Sequence, residues 1–121
     1  MTTEFSVSAE KLASGGLVVS VQGQVDLYAA PDLKARLIDA LDRGDGRIVV
    51  DVTESTFLDS TAVSTLLSAH RRAQRRGGHV VLVNTNNDIA RTLSITGLDG
   101  ILDVVESVEE ARALLDSGQP R

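Results

Sequence analysis

The sequence predicts a single α/β domain on a mixed, mainly parallel sheet, with an antiparallel first strand and about four helices. Three observations carry this. Apolar runs alternate with helical stripes from residue 17 onward, the order produced by right-handed β–α–β crossovers. Two of the runs, "RIVVDV" and "HVVLV", are nearly continuous, as in strands covered on both faces. Glycine-bearing segments at 14–16, 44–46 and 77–78 separate the pieces.

Each element follows in order. Phe5, Val7 and Ala9 alternate with polar residues, the period of a half-buried strand. "SGG" then marks a turn, and "LVVSVQGQV" returns as a second strand, making a hairpin. In "YAAPDLKARLIDALDRGDG", Leu33, Leu37, Ala40 and Leu41 fall on one helical face. Pro31 suits the first turn, and Gly44 and Gly46 end the helix. After the strand "RIVVDV", Val63, Leu66, Leu67, His70 and Ala73 form the stripe of a helix over residues 60–76, stopped by Gly77 and Gly78. "HVVLV" is the fourth strand. "NNDIARTLSITGL" is a short helix capped by Asn86 or Asn87 and stopped by Gly97. "ILDVV" makes a short fifth strand, and Ser107 with Glu110 forms a capping box for the last helix. The domain is expected over residues 4–116, with loose tails at 1–3 and 117–121.

Composition narrows the chemistry. A chain of 121 residues can bury a core without a disulfide or metal staple. No cysteine is present, which removes thiolate zinc sites and cysteine nucleophiles and fits a cytoplasmic protein. No apolar stretch approaches a membrane span, and "MTTEFSVSAEKL" lacks the regions of a signal peptide. The net charge of −5 disfavours direct binding to nucleic acid or an anionic membrane. "HRRAQRR" therefore reads as a solvated helix end whose cations oppose the negative dipole. With only Phe5, Tyr28 and Phe57 as aromatics, the core is aliphatic and no stacking platform for bases is expected.

Function in an open parallel sheet collects beyond the carboxyl ends of its strands. Three segments are expected to converge there: "GQVDLYAA", "TESTFLDST" and "NTNND". They bring Asp26, Asp59, Ser60, Thr61 and Asn84 to Asn87 toward one edge. Asp59 or Ser60 can cap the helix that begins there. The same helix start also tolerates an added phosphate, because its free amides and dipole favour negative charge. A hydrolytic triad fails on geometry. His70 lies about 15 Å down the same helix from Ser60, and His79 opens a strand at the opposite end. No metal-ligand cluster, Walker loop or dinucleotide fingerprint occurs, so neither an enzyme activity nor a cofactor is expected.

"GQVDLYAAPDLKARL", "VVDVTESTFLDSTAVSTLL" and "RTLSITGLDGIL", in that order and spacing, resemble the STAS domains of bacterial anti-sigma-factor antagonists. The likeness runs from about Phe5 to Leu115. It implies a protein that binds an anti-sigma factor, itself a serine kinase, and so frees a sigma factor. Phosphorylation of the serine after the aspartate, here Ser60, would end that binding until a phosphatase restores it. By the same resemblance Asp26, Asp59, Ser60, Thr61 and Ala62 belong to the partner-binding edge, and the chain acts as a monomer or weak dimer. Two positions depart from the family pattern: Gln24 where glutamate is common, and Ala62 where glycine is usual. Two other readings stay open. One is a STAS subunit of a stress-signalling or lipid-transport assembly, and the other is a small-molecule or nucleotide-binding module. The opening residues of the helix thus serve as cap through Asp59 and as switch through Ser60.

Overall fold

The computed structural model describes residues 4–13, 15–43 and 46–117. Five strands and four helices follow in the order β1 (Ser6–Lys11), β2 (Leu17–Val25), α1 (Ala30–Arg43), β3 (Arg47–Leu58), α2 (Ser60–Arg75), β4 (His79–Val83), α3 (Asn87–Thr96), β5 (Asp103–Val105) and α4 (Val108–Ser117). A single 3₁₀ turn, Leu98–Gly100, precedes β5. The sheet order is β1-β2-β3-β4-β5. β1 is antiparallel to β2, and every later pair is parallel, as the alternation of runs predicts.

The side-chain period of two explains the two apolar runs. Ile48, Val50 and Val52 of β3, with Val80 and Leu82 of β4, face the main core under α1, α2 and α3. Val49, Val81 and Val83 face the opposite way and meet Ala111 and Leu115 of α4. Both faces of β4 and of the first half of β3 are therefore covered. Farther out α4 does not reach, and Ser6, Ser8, Gln22 and Gln24 are exposed, so β2 alternates. Ala9, expected to be half-buried, is exposed on the edge strand β1, because α1 does not close over that end of it.

Helix ends follow the capping rules. Asn86 Oδ1 accepts from the amides of Asp88 and Ile89, at 2.8 and 3.2 Å. Gly97 ends α3 with φ +76°, a left-handed geometry that glycine adopts without steric cost. Ser107 Oγ accepts from the Glu110 amide at 3.1 Å, the expected cap of α4. Between α2 and β4, a Cβ on Gly78 would lie 2.2 Å from the Gly46 carbonyl oxygen. That carbonyl accepts the His79 amide that starts the β3–β4 ladder, so the close approach requires glycine.

Three boundaries differ from the sequence reading. β3 does not end after "RIVVDV" but runs on to Leu58, through most of the expected loop "TESTFLDST". Ser117, expected to begin the tail, is the last residue of α4. Ile101 and Leu102 precede β5 instead of opening it, since the 3₁₀ turn holds their amides on the Leu98 carbonyl. Ser14, Gly44 and the tail positions 1–3 and 118–121 lie outside the described residues.

Candidate functional site

The site is built by the ends of β2 and β3. Two register shifts separate Ser20↔Asp51 from Val25↔Leu58, so β3 uses seven steps where β2 uses five. Such bulges bend and twist the strand that carries them. The Ser55 hydroxyl, buried in this stretch, donates to the Val21 carbonyl at 3.2 Å. The outcome is a paired exit: Val25 opposes Leu58, and the Asp59 amide donates to the Val25 carbonyl at 3.1 Å. The segments after β2 and β3 are thereby held side by side.

After β2, Asp26 shapes its own turn. Its Oδ1 accepts from the amides of Tyr28 and Ala29, each at 3.0 Å, and its carbonyl accepts the Ala30 amide at 2.9 Å. This half-buried carboxylate fixes the entry to α1 and leaves Leu27 and Tyr28 standing in solvent, 61% and 87% exposed. Phe57, which pairs in register with Gln24, is 46% exposed. Three large apolar side chains thus stand beside the seam, on a chain whose only other aromatic is Phe5.

After β3, Asp59 is the cap of α2. Its backbone is extended, its Oδ1 accepts from the Ala62 amide at 2.9 Å, and its carbonyl accepts the Val63 amide at 3.0 Å. Ser60 follows as the first helical residue and is exposed. Among the described residues its hydroxyl has no hydrogen-bond partner. Thr61 is half-buried, and its carbonyl accepts the Thr65 hydroxyl at 3.0 Å. Ala62 is 0% exposed and belongs to the main core. Its side chain therefore presents no surface at the seam. Its methyl fills the core instead of crowding the seam.

The third expected segment does not join. Val83 pairs with Asp51, seven residues before Leu58, which is about 23 Å along an extended strand. Asn84 to Asn86 are set back accordingly. There Asn84 is buried, binding the Asn86 carbonyl through Nδ2 and the Asn86 amide through Oδ1, both at 3.0 Å. These asparagines shape the entry to α3. Sequence reasoning overlooked the exposed apolar trio, although Leu27, Tyr28 and Phe57 all lie inside the segments it singled out.

The histidines occupy the other end of the sheet. His79 pairs with Arg47 at the start of the β3–β4 ladder, and its Nε2 lies 2.7 Å from Asp103 Oδ2. His70 is half-buried, with Nδ1 enclosed and unpartnered. Burial, and then the neighbouring His79, push its pKa below the ordinary histidine value. Neither ring reaches Ser60. No cluster of three metal-ligating side chains occurs among the described residues, and no helix among them is long and apolar enough to cross a membrane.

What remains at the seam is a free hydroxyl on a helix's first turn, with one amide already capped. Such a start accommodates a phosphate's charge. Comparison with known proteins identifies the family and the fold. Residues 8–111 match the family model described as the STAS domain. The anti-sigma-B factor antagonist of Bacillus subtilis is 30% identical over 87 residues, covering 71% of this chain and 78% of that protein. Among solved structures, an anti-sigma factor antagonist from Mycobacterium paratuberculosis superposes with a TM-score of 0.87 at 21% identity, covering 96% of this chain and 99% of that one. The anti-sigma factor antagonist SpoIIAA in its unphosphorylated form superposes at 0.78 with 20% identity, covering 96% and 100%. From its first hairpin to its last helix, this chain belongs to the STAS domain family.

Proposed function

We propose that the chain is a cytoplasmic, non-catalytic anti-sigma-factor antagonist whose binding is switched by phosphorylation of Ser60. The observation that carries this is the exposed, unpartnered Ser60 hydroxyl, placed directly after the capping Asp59 and beside Leu27, Tyr28 and Phe57. A kinase must seat a serine in its active site, which needs an accessible hydroxyl on a segment that stays put. Capping holds the segment, and the exposed apolar side chains offer area that a partner can desolvate. The names of the relatives supply the partner class, an anti-sigma factor.

In this reading the unphosphorylated domain, residues 4–116, docks on the anti-sigma factor through Asp59, Ser60 and the apolar trio. Asp26 contributes by holding Leu27 and Tyr28 outward. The anti-sigma factor transfers a phosphoryl group to Ser60 and dissociates, and a phosphoserine phosphatase resets the domain. The test is to incubate the chain with ATP and candidate anti-sigma kinases and to map the modified residue by mass spectrometry. Phosphate on Ser60, abolished in Ser60→Ala with the circular dichroism spectrum unchanged, is the expected result. Phosphate on Thr61 or Ser64 would overturn the assignment.

A further inference from the structure

α1 and α2 pack side by side and both run back from the Ser60 edge. Between them lies a cleft of about 340 Å³, floored by Leu37 and walled by Lys34, Thr65, Ser68, Arg72 and Arg75. Its volume sits at the lower end of the range for small-molecule sites. No acidic residue lines it, although the whole chain carries a net charge of −5.

The charge in this cleft is under-compensated. Arg72 Nη2 donates to both oxygens of Asp42 at 3.2 Å, and Arg76 Nη1 binds the same carboxylate. One carboxylate thus answers two guanidinium groups. Arg72 Nε is closed off from solvent and has no acceptor. Lys34 and Arg75 have no ion-pair partner among the described residues. On α2, Ser68, Arg72 and Arg75 are spaced i, i+4 and i+7, so they share one stripe. All three line the cleft, and the fork of Arg72 keeps donors beyond the Nη2 that Asp42 holds. Guanidinium forks and a hydroxyl are the donors that recognise phosphate. Lys34 stands across the cleft, and Leu37 and Ala69 would meet the uncharged part of a ligand.

From this charge surplus we infer that the α1–α2 cleft is a binding site for a compact phosphate-bearing anion. Arg72, Arg75 and Ser68 hold the phosphate and Lys34 neutralises its remaining charge. The site is separate from Ser60, which lies about 12 Å from Ser68 along the axis of α2.

Amide NMR of the full chain, titrated with inorganic phosphate and with pyrophosphate against sodium chloride at matched ionic strength, tests this. Saturable shifts centred on Lys34, Ser68, Arg72 and Arg75 are expected, with pyrophosphate binding more tightly. Lys34→Gln combined with Arg75→Gln should weaken binding by about tenfold or more, since two charged hydrogen-bond donors are lost. Arg71→Gln, an exposed cation outside the cleft, should leave it unchanged. Shifts equal to those in chloride, shifts centred on Ser60 to Ala62, or full affinity in the double variant would each overturn the assignment. None of these outcomes depends on whether Ser60 is a phosphorylation site.

Discussion

Removing the Asp59 carboxylate is the sharpest local perturbation of the seam. In Asp59→Ala the Ala62 amide loses the acceptor it holds at 2.9 Å. An N-cap replaced by alanine costs about 0.5–2 kcal/mol. The structure places this case at the upper end, because Ala62 is 0% exposed and water cannot readily take over the bond. About 1–2 kcal/mol is therefore expected, which lowers Tm by about 4–10 °C for a domain of this length. Asp59→Asn keeps an oxygen acceptor and loses only the charge–dipole term, about 0.3–1 kcal/mol. Differential scanning calorimetry of wild type, Asp59→Ala, Asp59→Asn and Ser60→Ala would separate these contributions. Ser60→Ala should melt within about 0.5 kcal/mol of wild type, as a surface change does. If Asp59→Ala melts with wild type, or Ser60→Ala falls as far as Asp59→Ala, the cap is assigned to the wrong residue. The presentation of Ser60 would then fail with it.

Other expectations concern the frame behind the seam. Leu66, 0% exposed in the main core, should cost about 2–5 kcal/mol on change to alanine, read as a shifted denaturant midpoint. An unmoved midpoint would mean that α2 presents another face. Burial lowers the His70 pKa from its ordinary value of 6.5, so the unfolded chain takes up this proton at a higher pH than the folded one does. Its stabilising contribution is complete above about pH 6.5 and is lost as the pH falls through the depressed folded value. His70→Gln should therefore flatten the fall in stability below about pH 6.5, measured by urea titration. An identical slope in the variant would contradict this. Tyr28→Ala should leave Tm nearly unchanged, since the side chain is 87% exposed. It should slow phosphorylation of Ser60 by raising KM, and unaltered kinetics would remove Tyr28 from the docking surface.

Most of the architecture was legible because hydrophobic period reports coverage. β4 shows a continuous run because α4 and α2 lie on opposite faces, and β2 alternates because α4 stops short of it. The Asp59 cap was legible too, since acid, hydroxyl and helical stripe stand adjacent in sequence. The far half of β3 was not. Two bulges break its alternation, and Thr53 and Ser55 satisfy their hydroxyls, with Glu54 exposed, within a strand whose composition reads as a loop. Asp51 Oδ1, for example, takes both the amide and the hydroxyl of Thr53, at 3.0 and 2.7 Å. That hidden extension also displaced the asparagine segment, because carboxyl ends align only when strands have equal reach. Exposure of Leu27 and Tyr28 depended on the Asp26 turn, a local hydrogen-bond geometry with no periodic trace.

The proposed switch is tested most directly by calorimetric titration of the unphosphorylated and Ser60-phosphorylated chain into a candidate anti-sigma kinase in the presence of a non-hydrolysable ATP analogue, which occupies the nucleotide site without phosphoryl transfer. A phosphoserine adds about −1.5 to −2 charges, which the α2 N-terminus tolerates in the free domain. In the complex that charge meets the nucleotide's phosphates across a desolvated contact, where like charges cost several kcal/mol. At 1.4 kcal/mol per decade, a loss of about two to three decades in affinity is expected, with the free domain's melting temperature little changed. Equal affinities for the two forms would contradict the switch.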